Sequence, residues 1–148
     1  MVFHFAANPE IRLDLADPAT CFQENVYATH ILLERLRQSD VHTVVFASTS
    51  TVYGDAKKTP TPEDYSPLEP ISIYGASKLA SEALVTSYCH AYKKKAVILR
   101  LANIVGPRSK HGVINDFITK LRRNPKELEI LGDGTQSKSY LHISDCIE

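Results

Sequence analysis

Apolar residues fall into three short unbroken runs, separated by longer stretches where they recur every three or four positions. The runs are Val2 to Ala6, with only His4 polar, Thr43 to Ala47, and Ala96 to Leu101. Runs of this length without polar alternation suit strands covered on both faces of a parallel sheet. Asn8-Pro9 turns the chain after the first run. Asp17-Pro18 then opens a mostly helical stretch, striped by Phe22, Val26, Ile31, Leu32, Leu33 and Leu36 and closed by Ser39-Asp40. The second run leads into Ser48-Thr49-Ser50-Thr51, then Val52-Tyr53-Gly54-Asp55, then a loop carrying Pro60, Pro62, Pro67 and Pro70. From Ala76 to Tyr92 no Pro or Gly interrupts a helical spacing that includes Leu79, Ala80, Ala83 and Leu84.

After the third run come Ala102-Asn103 and Gly106-Pro107. Val113 to Leu121 has a helical period, Leu128 to Leu131 reads as a short strand, Gly132-Asp133-Gly134 as a turn, and Ser139 to Ile143 as another extended piece. Asp145 is placed to cap a further helix. Strand, helix, strand, helix, strand predicts an α/β fold with right-handed crossovers and a parallel sheet.

Composition narrows the partners. The 148 residues amount to one domain by length, with 43% hydrophobic and 23% charged residues, and 17 basic side chains balance 17 acidic ones. That balance gives no electrostatic case for nucleic acid or an anionic membrane. Lys93-Lys94-Lys95 reads as a solvated helix end, where cations suit the dipole. Cys21, Cys89 and Cys146 are odd in number and widely spaced, which argues against a disulfide framework or a zinc site and fits reduced thiols in the cytoplasm. His111 and His142 show no metal-ligand spacing, so no metal is expected. The start, Met1 to Ala7, lacks the basic flank and apolar core of a signal peptide, and no run is long enough to span a bilayer.

The candidate chemistry gathers at Tyr74-Gly75-Ala76-Ser77-Lys78. Tyr74 and Lys78 stand one turn apart on one helix face. An ammonium there is expected to draw down a phenol whose ordinary pKa is near ~10, giving a group able to take a proton from an alcohol and return it. Thr49 closes the second strand and Asn103 follows the third. Polar groups at the carboxyl ends of parallel strands lie where such sheets bind ligands. His4 reads as a core histidine with a partner, Tyr53 as packing, and Asn25 by itself as a buried polar group with a partner.

These pieces together resemble the extended short-chain dehydrogenase/reductase family, and within it the UDP-glucose 4-epimerase group of sugar-nucleotide epimerases. The resemblance rests on His4-Phe5-Ala6-Ala7, Asn25 in Asn25-Val26-Tyr27-Ala28-Thr29, Ser48 to Gly54, Tyr74 to Lys78, Arg100 to Asn103, and Gly132-Asp133-Gly134-Thr135-Gln136. They occur in family order and spread over nearly the whole chain. The resemblance implies a partial Rossmann-like NAD-binding domain over residues 1–106, and the start of a small substrate-binding subdomain over 107–148.

It also implies roles. Tyr74 is the acid/base, Lys78 lowers its pKa and holds the nicotinamide ribose, and Thr49 bonds the same sugar oxygen as Tyr74. Phe5, Ala6, Ala7, Asn25, Ser48, Tyr74, Lys78 and Ala102 line the NAD site. Thr49, Asn103, Val113, Ile114, Leu131 and Lys138 meet the UDP-sugar, with Lys138 where the family often has an Arg. The implied reaction is NAD-dependent epimerisation at C4 of a UDP-hexose through a transient 4-keto sugar. A homodimer through the two long helices is also implied.

The pattern departs from the family in one respect. No Gly-x-Gly-x-x-Gly occurs, so the chain is expected to be a fragment lacking the family's first strands and its far end, with an unpaired edge at Val2 to Ala6. Related dehydratases carry Asp-Glu before Val-Tyr-Gly, and decarboxylases usually a Glu. Here Ser50-Thr51 stand there, which favours epimerisation. Two alternatives stay open: a catalytically inactive remnant or interaction module, and another sugar-nucleotide-modifying enzyme of the same family.

Overall fold

The computed structural model describes residues 1–9, 16–109, 112–135 and 137–148, so His111 and Gln136, both weighed above, lie outside the described residues. The described chain divides into two compact units, Met1–Leu101 and Ala102–Glu148.

The first unit is a three-stranded parallel sheet in the order β1 (Val2–His4), β2 (Thr43–Thr49), β3 (Lys95–Leu101). Val2 pairs with Val44, and Thr43 to Thr49 run in step with Lys95 to Leu101. The connections are helical: α1 (Pro18–Cys21), a π-helical stretch Phe22–Tyr27 and α2 (Ala28–Leu36) join β1 to β2, and α3 (Ile73–Ala91) joins β2 to β3. Leu33 and Leu36 of α2, Val44 and Phe46 of β2, and Val85 and Cys89 of α3 make the core between the helices and one face of the sheet. Burying such side chains contributes about 1.5–3 kcal/mol for each large one.

Three expectations about this unit change. The strand foreseen over Val2 to Ala6 ends at His4, and it is not buried on both faces. Phe3 is 64% and Phe5 57% exposed, their rings edge-to-face at 5.7 Å. Among the described residues β1 pairs only with β2, so the strand alternation leaves His4 facing the helices and Phe3 on the uncovered side. The second strand runs on through Ser48 and Thr49 instead of stopping at Ala47. The apolar stripe is displaced as well. Phe22 and Ile31 are exposed, and the buried line is Cys21, Asn25, Thr29, Leu33. The wide π turns change the phase of the helix, carrying two polar side chains inward where Val26 and Ile31 were expected.

α3 has well-defined ends. The Ser72 hydroxyl accepts from Gly75 N–H at 3.0 Å at its start. At its finish Lys94 N–H reaches the Cys89 carbonyl at 2.8 Å and Lys93 N–H the His90 carbonyl at 3.4 Å, with Lys93 left-handed at φ 53°. Lys94 is not simply solvated, since its ammonium binds the Ser39 and Val41 carbonyls at 2.9 and 2.6 Å.

In the second unit β4 (Asn103–Val105) pairs in parallel with β5 (Tyr140–His142). α4 (Val113–Arg123) lies between them in sequence, and α5 (Ile143–Ile147) follows β5. The strand expected at Leu128 to Leu131 does not form: among the described residues this apolar run has no ladder partner, and Leu131 is largely exposed. Asp145 lies in the first turn of α5 and does not cap it. The cap is His142, whose ring accepts from Ser144 N–H. Apolar residues of α4, among them Val113, Ile114, Ile118 and Leu121, are exposed.

Lys93 holds a backbone conformation that favours glycine. Lys93→Gly is therefore expected to stabilise the chain by about 1 kcal/mol, read as a higher urea midpoint at unchanged slope.

Candidate active site

The carboxyl end of β2 is where the side chains converge. Thr49 leaves the strand in extended conformation and caps a 3₁₀ turn, Ser50–Tyr53, its hydroxyl accepting from Thr51 N–H at 3.2 Å and from the Thr51 hydroxyl at 3.1 Å. The same hydroxyl is hydrogen-bonded to the Tyr74 phenol. Tyr74 can lie so close because the next residue is glycine. A Cβ on Gly75 would stand 3.1 Å from the Thr51 carbonyl and 3.0 Å from both Pro70 Cβ and Ser72 Oγ, so α3 packs directly on the turn. Gly54 closes the turn at φ 62°, with the Glu69 carbonyl occupying the place a Cβ would need.

Lys78, one turn on from Tyr74, is 3% exposed, and its ammonium lies over the Phe46 ring at 4.2 Å from the centroid. Burial pulls its pKa down to about 8, against an upward pull from Glu82. The Tyr74 phenol is pushed up from its ordinary value, chiefly by burial; the Thr49 bond opposes this and the nearby Cys21 adds to it. The expectation that Lys78 draws the phenol down is thus not met. The ammonium is turned to the Phe46 ring, and the downward pull on Tyr74 comes from Thr49.

A buried chain of hydrogen bonds backs the pair. Asn25, 2% exposed, accepts from Asn8 N–H at 2.7 Å and donates to the Asn8 carbonyl at 3.1 Å and to Ser77 Oγ at 2.9 Å. Ser77 in turn donates to the Tyr74 carbonyl at 2.8 Å. Thr29 donates to the Asn25 carbonyl at 2.6 Å, leaving its oxygen to accept from His4 Nε2 at 2.8 Å. The nitrogen facing Thr29 therefore carries the proton, and burial with the Lys78 charge holds His4 below the usual histidine range. His4 is a core histidine with a partner, as the sequence indicates.

The fold thus unites Thr49, Tyr74 and Lys78. Phe5, Ala6 and Ala7 form the segment leaving β1, with Phe5 and Ala6 exposed. Asn25 serves this segment through Asn8. Ser48 is buried and donates to Glu82, away from the strand end. In the second unit Asn103 donates to the Ser139 carbonyl at 3.0 Å, Val113 and Ile114 begin α4, and Leu131 and Lys138 are exposed in the connection to β5, while Ala102 is half-buried. Sequence reasoning passed over Ser77, Asn8 and Glu82. The one available signal was Glu82, a carboxylate four residues beyond Lys78. Tyr53 does more than pack: its ring lies under the Arg100 guanidinium at 5.0 Å and its oxygen accepts from Arg100 at 3.2 Å.

A parallel sheet with a Tyr, Lys and Thr at one strand end defines a Rossmann-like dehydrogenase-type class. The chain belongs to the NAD dependent epimerase/dehydratase family, whose defining pattern matches residues 1–148. It is 38% identical over 153 residues to an uncharacterized UDP-glucose epimerase, YtcB, of Bacillus subtilis, covering 100% of this chain and 46% of the relative. It is 35% identical over 149 residues to human dTDP-D-glucose 4,6-dehydratase, covering 100% and 42%. A crystal structure of a UDP-galactose 4-epimerase superposes with a TM-score of 0.86 at 54% identity, covering 99% of this chain and 47% of that one. The chain spans under half the length of these relatives. Among the described residues no helix is long and apolar enough to cross a membrane.

The family is NAD-dependent, and the phenol and ammonium one turn apart at the strand end are donors of the kind that could meet a cofactor's hydroxyl groups.

Because the folded chain binds the Lys78 proton less tightly than the unfolded chain, with a pKa of about 8 against 10.5, this group makes stability rise with pH between those values. Lys78→Met is expected to unfold at higher urea than wild type at pH 7 and to lose that rise, as urea midpoints at pH 7 to 10 would show.

Proposed function

We propose that this chain carries the acid/base half of a sugar-nucleotide epimerase acting at C4 of a UDP-hexose. The first unit is read as part of an NAD-binding domain and the second as the start of a substrate-binding subdomain. The observation that carries the reading is the Thr49–Tyr74 hydroxyl pair with Lys78 one turn beyond, at the carboxyl end of a parallel strand.

In this reading the sugar hydroxyl takes its place between Tyr74 and Thr49. Tyr74 accepts the hydroxyl proton and later returns it, while Thr49 holds the oxygen, its own lone pairs fixed by Thr51. Lys78 supplies positive charge and, with Tyr74, holds the cofactor ribose. Phe5, Ala6, Ala7 and Ala102 line the cofactor, and Asn25 keeps their segment in place through Asn8. NAD, when bound, supplies the hydride acceptor and donor. Asn103, Val113, Ile114, Leu131 and Lys138 are assigned to the nucleotide side of the substrate. The similarity to a UDP-glucose epimerase and to a UDP-galactose 4-epimerase supports the substrate class. Although a dehydratase is also among the relatives, Ser50 and Thr51 place no carboxyl at the turn where a leaving hydroxyl would need an acid, and the Thr51 hydroxyl is turned to Thr49. The cytoplasm and a homodimer through the stretch 18–36 and α3 complete the reading.

A second reading is a remnant or interaction module without turnover. Incubation with UDP-glucose and NAD separates the two. The epimerase reading expects UDP-galactose to form, and the rate to fall roughly 10²–10⁴-fold in Tyr74→Phe. Turnover indifferent to Tyr74→Phe sinks the proposed role of Tyr74. No turnover together with no NAD heat in calorimetry leaves the remnant.

A further inference from the structure

The side chains that do most to order the interior behind Tyr74 and Lys78 belong to neither the proposed chemistry nor the apolar core. Glu82 stands one turn beyond Lys78, so Tyr74, Lys78 and Glu82 form a line along one face of α3. Its carboxylate is almost fully buried and is held from two directions. Arg100 of β3 grips it with a fork, Nε at 3.1 Å from both oxygens and Nη2 at 2.8 Å from one. Ser48 of β2, the register partner of Arg100, donates to the other oxygen. Arg100 is itself fixed by the Tyr53 hydroxyl and the Glu63 carbonyl, both at 3.2 Å. Four groups from β2, β3, the 3₁₀ turn and the loop beyond it therefore converge on the placement of one carboxylate. A buried ion pair is weak evidence for stability alone, and an apolar pair would fill the same space.

Its placement gives it a use: Lys78 lies over Phe46 and Glu82 bonds Ser48, two residues further along the same face of β2. The charged and titratable groups around Lys78 are His4 on β1, Tyr74 and Glu82 on its own helix, Arg100 behind Glu82, and the Cys21 thiol beside Tyr74. Burial and the Lys78 charge hold His4 below the usual histidine range, and the Phe46 ring offers the ammonium only its π face. We propose that Glu82 is a positioning residue, held by Arg100 and Ser48 at a fixed place one turn from Lys78 so that the buried ammonium keeps its proton and its seat over Phe46. The proposal gives the assigned role of Lys78 its electrostatic cause and to that extent rests on the reading above. The upward pull of Glu82 on Lys78 agrees with it. Arg100 acts at one remove: it fixes where the negative charge sits.

The test reads Lys78 itself, so it does not depend on turnover. The whole chain is labelled with ¹³C at lysine Cε, the Lys78 signal is assigned by its loss in Lys78→Met, and its titration is followed. Glu82→Gln keeps the shape and removes the charge, and the Lys78 midpoint is expected to fall by about one pH unit. Glu82→Asp, which restores the charge, is expected to return most of that shift. An unchanged midpoint in a folded Glu82→Gln chain overturns the proposal. Glu82→Gln also strands Arg100, so the double variant Glu82→Gln, Arg100→Gln is titrated beside it; with the opposing Arg100 charge removed too, the Lys78 midpoint is expected to fall in the same direction by a smaller amount. Should the double variant not fold, or fold with Lys78 unmoved, the pair is a structural prop and the proposal falls. If the wild-type chain fails to turn over UDP-glucose while the Lys78 midpoint shifts as stated, the functional reading fails and this one stands.

Discussion

The amide of Asn25 is the constraint on which the rest of the first unit depends. A carboxamide with 2% of its surface exposed costs free energy unless its donors and acceptor are met. Here they are met by the backbone of Asn8 and the hydroxyl of Ser77. Asn8, Asn25 and Ser77 belong to the segment leaving β1, the π-helical stretch and the second turn of α3. Fixing them together fixes the distance between the exit of β1 and the turn that bears Tyr74. Ser81 repeats the tie one turn further along, donating to the Ser77 carbonyl at 2.8 Å and the Asn25 carbonyl at 3.3 Å.

The helix that receives these bonds buries an unusual set of side chains. Ser77, Lys78, Ser81 and Glu82 are all nearly inaccessible, and only Val85 and Cys89 further along are apolar. The tyrosine end of α3 is therefore organised by directional contacts, and its other end by packing against Leu33, Leu36 and Val44. Directional contacts tolerate little displacement, which suits a phenol that has to meet the Thr49 hydroxyl. Packing tolerates more, which suits an end whose task is to hold the helix against the sheet. The division follows the distance from the strand ends.

Much of this was legible in the sequence. The second and third strands and the long helix show because their periodicity is local, and Tyr74 and Lys78 declare themselves by a spacing of four. What stayed hidden is non-local. Asn25 meets Ser77 across 52 positions and Glu82 meets Arg100 across 18, and no local pattern marks either pair. The phase change at Phe22–Tyr27 is a backbone event, so the striped residues Phe22 and Ile31 were assigned to the wrong side. Leu128 to Leu131 has strand composition, but a strand is defined by its partner, which a short apolar run cannot announce. The direction of the Tyr74 shift was missed because the pull of a nearby charge was weighed without the burial that opposes it.

The π-helical stretch also changes how length variation would act here. A wide turn holds what amounts to one surplus residue relative to a regular helix. Removing a residue between Phe22 and Tyr27 would let the helix close to ordinary geometry by giving up the surplus residue, so the flanking turns would keep nearly the same face toward the sheet. A single-codon gap in this stretch would therefore be absorbed where it falls, whereas the same gap in the regular turns of α2 would rotate everything upstream by about 100° about the helix axis.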